Sequence, residues 1–265
     1  MSDYIFLAIS IALAAAAGVF SRGKVLGPSR LELDESPMPL LRITGIGLLA
    51  YVFIAAFGSV YLTRNGESNI TEDQKVILSS LCDLGVLGAI LVATWIVRPN
   101  GLRRMGINSA RIPAALAGGL LGIAILLPLV FVVEDWTEKL WIYLHYAHPD
   151  AHEFLLVLQN DRSHWMHDAV VISASLLAPL AEEMFFRGCV QTFLRYMLNS
   201  PWPAIAITSL LFAAIHPHWT APPIFVLALG LGYAYERTGN LWLSIAIHSF
   251  FNLASIGFFL WHPSM

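Results

Sequence analysis

Two adjacent carboxylates stand inside an apolar stretch of this sequence, where an ionisable side chain is costly. The segment LLAPLAEEMFFRGCV contains Glu182 and Glu183, and Arg187 follows Glu183 by four residues. On a helix, residues four apart can pair, whereas adjacent residues point about 100° apart. We therefore expect Arg187 to hold Glu183, and Glu182 to face a cavity, where a carboxylate is a suitable general base. The alternative is a Glu–Arg pair that only pins two helices together.

Two histidines stand in later apolar segments. His216 ends the short run SLLFAAIHPHW, one turn after Phe212, and His248 lies within LWLSIAIHSFFNLASIGFF, with Asn252 one turn later on the same face. An imidazole and an amide on one stripe can donate hydrogen bonds to a developing oxyanion. An interhelical hydrogen-bond pair is the alternative for these two residues. His218, two residues beyond His216, is expected to be a bystander.

Together these side chains would form a site for amide hydrolysis if their three segments converge. The site would contain a base, a position for water and donors for an oxyanion. No serine or cysteine is placed as an obvious nucleophile, so an activated water is the natural attacker. A second chemistry stays open, because Glu182, His216 and His248 could also ligate Zn²⁺ with water in the open position.

The composition indicates an integral membrane protein. Apolar residues make up 57% of the 265 positions and charged residues 12%, roughly half the charged share of an average soluble domain. Such a chain cannot cover a water-facing surface, so its surface must face lipid. The net charge of -3 gives no indication of nucleic-acid binding. Cys82 and Cys189 fall inside apolar runs and are expected to be buried thiols, without a disulfide framework or a cysteine-based zinc motif.

We expect an all-α fold, a single membrane domain over residues 1–265 with about eight transmembrane helices. A bilayer core about 30 Å thick needs about 20 apolar residues per helix. The apolar runs lie at about 4–20, 43–62, 76–97, 112–133, 168–188, 203–216, 222–235 and 241–261. Because the sixth and seventh runs are short and bounded by prolines, we expect incomplete spans inside the bundle. Four helices in 1–133 would precede an interfacial loop or amphipathic helix at 134–167, and 168–261 would hold the catalytic helices.

Basic residues predict the orientation of the chain. Arg22 and Lys24 follow the first apolar run instead of preceding it, which is typical of a retained helix with its N-terminus outside and not of a signal peptide. With eight helices in this orientation, eleven of the 15 basic residues fall in cytosolic segments, as the positive-inside rule requires. Both termini would lie outside, and the chain would reside in a bacterial inner (cell) membrane.

Three motifs make the sequence resemble the CPBP family of membrane proteins, which includes the CAAX prenyl endopeptidases and the bacterial bacteriocin-processing or self-immunity (Abi) proteins. The motifs are EExxxR at Glu182, Glu183 and Arg187, FxxxH at Phe212 and His216, and HxxxN at His248 and Asn252. They occur in the family's order over roughly residues 165–260, whereas the first four helices carry no motif that can be matched.

The resemblance implies an eight-helix fold with its active site inside the membrane. It implies that Glu182 activates water together with His216, and that His248 and Asn252 bind the carbonyl oxygen of the tetrahedral state. Glu183 and Arg187 would support them. The family has often been labelled as metalloproteases, although its leading mechanism needs no metal.

The expected function is therefore hydrolysis of a peptide bond in a membrane-associated peptide, CAAX-like or bacteriocin-like, without a required cofactor. A zinc-dependent protease with the same residues is the first alternative, and a non-catalytic immunity or peptide-binding protein is the second. A transporter with the acids as a proton relay is the third, but such acids would be spread along a path.

Asp83, in SSLCDLGVLGA, lies apart from the other acids. Its role stays open between pairing with a polar group of the site and capping a bend.

Overall fold

The computed structural model of the chain describes residues 31, 36–65, 71–98, 100–146, 158 and 164–261. Within these residues every regular element is a helix and no strand occurs, so the expected all-α fold is confirmed. The longer helices are α1 (Met38–Asn65), α2 (Glu72–Val97), α3 (Ile112–Tyr143), α4 (His164–Leu198), α5 (Pro201–Ala214), α6 (Ala221–Thr238) and α7 (Leu241–Trp261). Two short helical turns, Gly101–Arg104 and Ser109–Arg111, connect α2 to α3.

Five stretches of the described chain are long and apolar enough to cross a membrane. They are Met38–Tyr61, Asp73–Val97, Gly101–Tyr143, His164–Leu198 and Leu241–Trp261. The other two helices, α5 and α6, have 14 and 18 residues, and they correspond to the two runs expected to be incomplete spans. Seven of the eight predicted runs are therefore helices, and the first run, 4–20, lies outside the described residues.

The helix α3 is longer than its apolar run. The run ends near residue 133, where the sequence predicts an interfacial segment over 134–167, but the helix continues without a break to Tyr143. Lys139 pairs with Asp135 one turn away. Such a pair stabilises the helix beyond residue 133, where the sequence is more polar. The first part of the predicted interfacial segment is therefore the end of α3, and most of the rest lies outside the described residues.

Apolar side chains cover the outside of the bundle as well as its core. The side chains of Leu49, Phe53 and Trp95 are 71%, 73% and 84% exposed, which is the arrangement of a bundle surrounded by lipid. The core is centred on α4, which packs against α1, α2, α5, α6 and α7. The helix with the carboxylate pair is thus the central helix of the described bundle.

Glycines bring α3 close to its neighbours α6 and α7. A Cβ atom at Gly119 would lie 2.8 Å from the Cβ of Ala246 on α7, and one at Gly230 of α6 would lie 2.5 Å from the side chain of Leu126. Small residues allow membrane helices to approach closely and gain van der Waals contact. These contacts fix the position of α7, which carries His248.

Candidate active site

Two π-helical segments interrupt α4, and Pro179 accounts for the first. Ser173–Leu177 is π-helical, and the N–H of Ala178 donates to the carbonyl of Ser173, five residues earlier. Proline has no N–H, and its ring clashes with the carbonyl four residues before it in a regular α-helix. The wider turn accommodates the ring without ending the helix, and such segments are frequent at functional sites.

The second π-helical segment, Met184–Gln191, begins directly after the two carboxylates. The Thr192 hydroxyl donates to the carbonyl of Arg187 at 2.9 Å. This side chain gives the Arg187 carbonyl a hydrogen-bond donor within the π-helical segment. This helix therefore continues to Leu198, whereas its apolar run ends near residue 188. The carboxylates consequently lie near the middle of α4, whereas the predicted run 168–188 places them in its last third.

Glu183 accepts from two side chains in a fully buried position. Its Oε1 atom lies 3.0 Å from Nη1 of Arg187 and 3.1 Å from Nδ1 of His248. Arg187 is also fully buried; its Nη2 donates to the carbonyl of Ala228 at 3.2 Å, and its guanidinium carbon lies 4.6 Å from the ring centroid of Phe212. The predicted Glu183–Arg187 pair is present, and it also joins α4 to α5, α6 and α7.

His248 lies between the two adjacent carboxylates. Its Nδ1 atom faces Glu183, while its Nε2 atom is 3.9 Å from Oε2 of Glu182. The longer of these distances exceeds that of a hydrogen bond, so Nε2 and the Glu182 carboxylate are neighbours without a direct bond. The structure therefore brings the first and third motifs together through this imidazole.

His216 is oriented by its own helix. Its Nδ1 atom lies 2.7 Å from the carbonyl oxygen of Phe212, and because a carbonyl can only accept, Nδ1 must carry the proton. A neutral ring then has its lone pair on Nε2. The Phe212 ring packs against both imidazoles, with its centroid 4.7 Å from that of His216 and 5.8 Å from that of His248.

A cavity of about 360 Å³ opens beside these groups. Glu182 and His216 line it, and Glu182 retains 23% exposure of its side chain, whereas Glu183 retains none. The two adjacent acids are thus separated as expected, one facing the cavity and one held in the protein. The other lining residues are Tyr51, Ile54, Ala55, Ser79, Cys82, Asp83, Val86, Ala181, Phe185, Phe186, Ile215 and Pro217.

Asn252 is placed differently from the other motif residues. Its Nδ2 atom donates to the carbonyl of Ala174 at 2.6 Å, and Asn252 is not among the residues that line the cavity. The bond joins α7 to the first π-helical segment, which is the interhelical alternative for this residue. The amide nitrogen has a second hydrogen, so its oxyanion role stays a prediction.

Asp83 and Tyr51 are two residues of the cavity wall that lie outside every motif. Asp83 of α2 and Tyr51 of α1 face the same cavity as Glu182. The sequence marks Asp83 as an acid within an apolar run, but nothing in the run indicates that it reaches the site. Tyr51 has no distinguishing signal, because aromatic residues are common in membrane helices. His218, expected to be a bystander, contacts Tyr146 and does not line the cavity.

The three candidate zinc ligands do not form a metal-binding group in this arrangement. Among the residues that the structure describes, no three His, Cys, Asp or Glu side chains lie close enough to hold a metal ion. His248 directs Nδ1 to the Glu183 carboxylate, and His216 directs Nδ1 to a backbone carbonyl. Zinc-bound imidazoles commonly donate their second N–H to such partners, so these two bonds are compatible with either chemistry and the zinc-dependent alternative stays open.

The fold and the site together define a class of protein. It is a helical integral membrane protein with a carboxylate and two imidazoles beside an internal cavity. Residues 165–254 match the family described as type II CAAX prenyl endopeptidase Rce1-like. The match covers about a third of the chain and contains all three motifs. The match lies in the region that carries the three motifs, and it confirms the resemblance to the CPBP family of CAAX-type proteases. No curated protein and no solved structure matches the chain.

Proposed function

We propose that the chain is an intramembrane endopeptidase that hydrolyses a peptide bond of a membrane-associated, CAAX-like or bacteriocin-like peptide. One observation carries this proposal: Glu182 and His216 share the wall of a cavity, and Nε2 of His248 lies 3.9 Å from the Glu182 carboxylate. A bacterial inner membrane is the proposed location, with the lipid bilayer and the peptide as partners.

Glu182 is the proposed general base. It takes a proton from a water molecule held between its carboxylate and Nε2 of His216, and the hydroxide attacks the substrate carbonyl carbon. Glu182 then returns the proton to the leaving amine. The fixed tautomer of His216 supports this assignment, because its lone pair on Nε2 can accept a hydrogen bond from the water.

His248 is the proposed donor to the oxyanion. With Nδ1 donating to Glu183, a neutral ring has no hydrogen on Nε2, so only the doubly protonated ring can donate to the developing charge. Glu183 supports that state, because its carboxylate faces Nδ1 at 3.1 Å and stabilises the positive ring. Arg187 holds Glu183 in place from the other side. Asn252 is the proposed second donor.

The proposed base is tested by replacing Glu182. Purified Glu182→Gln protein in detergent should cleave fluorogenic peptides roughly 10²–10⁴-fold more slowly than the unmodified chain, because general base catalysis is lost. His216→Ala should show a loss in the same range. Glu138→Gln is the matched control, since this glutamate is exposed near the end of α3.

Cleavage would be measured by mass spectrometry of the products, for peptides with and without a C-terminal lipid. Unimpaired turnover by the Glu182→Gln protein would show that Glu182 is not the general base. Absence of any cleavage by the unmodified chain would instead favour the non-catalytic peptide-binding protein.

Metal dependence is tested separately, because replacing Glu182 affects both mechanisms. Under the proposed mechanism, 1,10-phenanthroline leaves the cleavage rate unchanged, and metal analysis of the active protein finds far less than one zinc per chain. Inhibition by the chelator that added zinc reverses would favour the zinc-dependent alternative. A non-chelating phenanthroline isomer is the control for effects on the detergent micelle.

A further inference from the structure

Asp83 is a carboxylate on the cavity wall that the proposed mechanism does not use. It lies on α2, within the span Asp73–Val97, and faces the cavity that Glu182 lines from α4. Within the described part of the chain it makes no hydrogen bond or ion pair. An acid within a membrane span is costly unless it has a partner. Because Asp83 lies on the cavity wall, its partner would be a group of a molecule that binds in the cavity.

The charges around the cavity define what that partner is. Among the described residues, the wall contains two carboxylates, Asp83 and Glu182, one imidazole, His216, and no lysine or arginine. Arg187 lies close to Glu183, but it is fully buried and held by that carboxylate. Since charges interact strongly where water is scarce, this cavity attracts a positive group and disfavours a free carboxylate.

Neutral polar groups of the wall do not change that balance. Ser79, Cys82 and the Tyr51 hydroxyl can donate or accept hydrogen bonds, but as neutral groups they do not compensate a second acid. Asp83 is also not placed as a second base, because in the described part of the chain no hydrogen bond or ion pair joins it to His216 or His248. The charges of the wall therefore favour recognition of a cation as the role of Asp83.

We propose that Asp83 binds a positively charged group of the substrate, a lysine or arginine side chain or a free amine near the bond that Glu182 attacks. The chain would then prefer peptides with a cation close to the cleaved bond. This inference rests on the proposed function only in taking the cavity as the place where the peptide binds. Asp83 is thus a specificity-determining residue.

The experiment measures binding, so that it does not depend on turnover. The peptides are made in pairs, each labelled with a neutral dye. The two members of a pair differ at one position, which is Lys in one and Gln in the other. Successive pairs place this position at different points along the peptide. Fluorescence anisotropy gives Kd for the full chain with Glu182→Gln in detergent. At the position next to Asp83, the Lys peptide should bind at least about tenfold more tightly than its Gln partner.

Substitution of Asp83 in the same background tests the assignment. Asp83→Asn and Asp83→Ser should remove the preference, whereas Asp83→Glu should keep it. Asp73→Asn is the matched control, because it removes one acid from the same helix without touching the cavity wall. Thermal unfolding of each variant identifies any that does not fold.

The outcomes separate this inference from the proposed function. A preference that persists in both neutral variants, the absence of any preference, or the absence of binding by either peptide would each overturn the role of Asp83. Cleavage of both peptides by the unmodified chain with equal kcat/KM would also overturn the role of Asp83. The same result would support the proposed endopeptidase activity. A preference that depends on Asp83, in a chain that cleaves neither peptide, would support the cation site and refute the endopeptidase.

Discussion

At the scale of single residues, one oxygen atom organises the candidate site. Oε1 of Glu183 accepts from Arg187 on its own helix and faces His248 on α7, and all three side chains are buried. A buried charge is tolerated only when its partners neutralise it. Glu183 is therefore fixed by two cationic or polar donors, and its neighbour Glu182 is left to face the cavity.

This arrangement makes a prediction about Arg187. Arg187→Ala should lower the free energy of unfolding by about 3–5 kcal/mol, because it leaves the Glu183 charge buried without its main partner. Adding Glu183→Gln should recover part of that loss, since the double variant contains no stranded charge. Thermal unfolding in detergent measures both effects.

Arg103→Ala is the control for this prediction, because Arg103 is exposed in the short turn after α2. It should change stability by less than about 0.5 kcal/mol, as is usual for surface substitutions. An unfolding temperature of Arg187→Ala equal to that of the control would show that the pair carries no stability.

At the scale of elements, the π-helical turn before Pro179 explains the position of Asn252. The N–H of Ala178 bonds to the carbonyl of Ser173, and Pro179 has no N–H, so neither residue donates to the carbonyl of Ala174. A carbonyl without a donor is costly inside a membrane. The Asn252 amide supplies the missing donor from α7 at 2.6 Å.

A double substitution tests this account of Asn252. Asn252→Ala should lower the free energy of unfolding by about 1–3 kcal/mol, because it leaves a buried carbonyl unsatisfied. Pro179→Ala restores an N–H to α4, so adding it to Asn252→Ala should recover stability. Thermal unfolding of the two single variants and the double variant measures the coupling.

The same variants separate the structural role of Asn252 from its proposed catalytic role. If its second N–H binds the oxyanion, the double variant regains stability but not kcat. Full recovery of both quantities would confine Asn252 to its structural bond, and equal destabilisation with and without Pro179 would refute the link between the two residues.

At the scale of the whole molecule, the connections between helices form two distinct faces. On one face, Nη1 of Arg111 donates to the carbonyl of Gly239 at 3.0 Å; on the other, Nε1 of Trp141 donates to the carbonyl of Trp219 at 3.1 Å. Of the described basic residues, seven lie on the first face and three on the second, with Arg187 inside. The positive-inside rule predicts that the first face is cytosolic.

Single cysteines test this orientation in intact cells. In a background with Cys82→Ala and Cys189→Ala, a membrane-impermeant maleimide should label His145→Cys without treatment. Asn108→Cys, on the face rich in arginine, should be labelled only after permeabilisation. The opposite labelling pattern would reverse the proposed orientation, and the cysteine-free background is the control.

The sequence determined the class of the protein and predicted most residues of the candidate site. Sparse charge and long apolar runs allow only a membrane bundle, because the backbone must satisfy its own hydrogen bonds in lipid. Ionisable residues in such runs are few, and this scarcity points to Glu182, Glu183, Arg187, His216 and His248, as well as to Asp83. Helical spacing also predicted the Glu183–Arg187 pair, since both partners lie on one helix.

Only the tertiary structure decided which helices meet and which atoms face each other. The contact of His248 with both carboxylates, the bond from Asn252 to Ala174 and the arrival of Asp83 at the cavity all join residues distant in sequence. Close glycine contacts fix the position of α7, and the π-helical turn before Pro179 leaves the Ala174 carbonyl for Asn252, and neither feature gives a clear periodic signal in the sequence. Spacing along one helix is fixed by local geometry, but proximity between helices depends on the packing of the whole bundle.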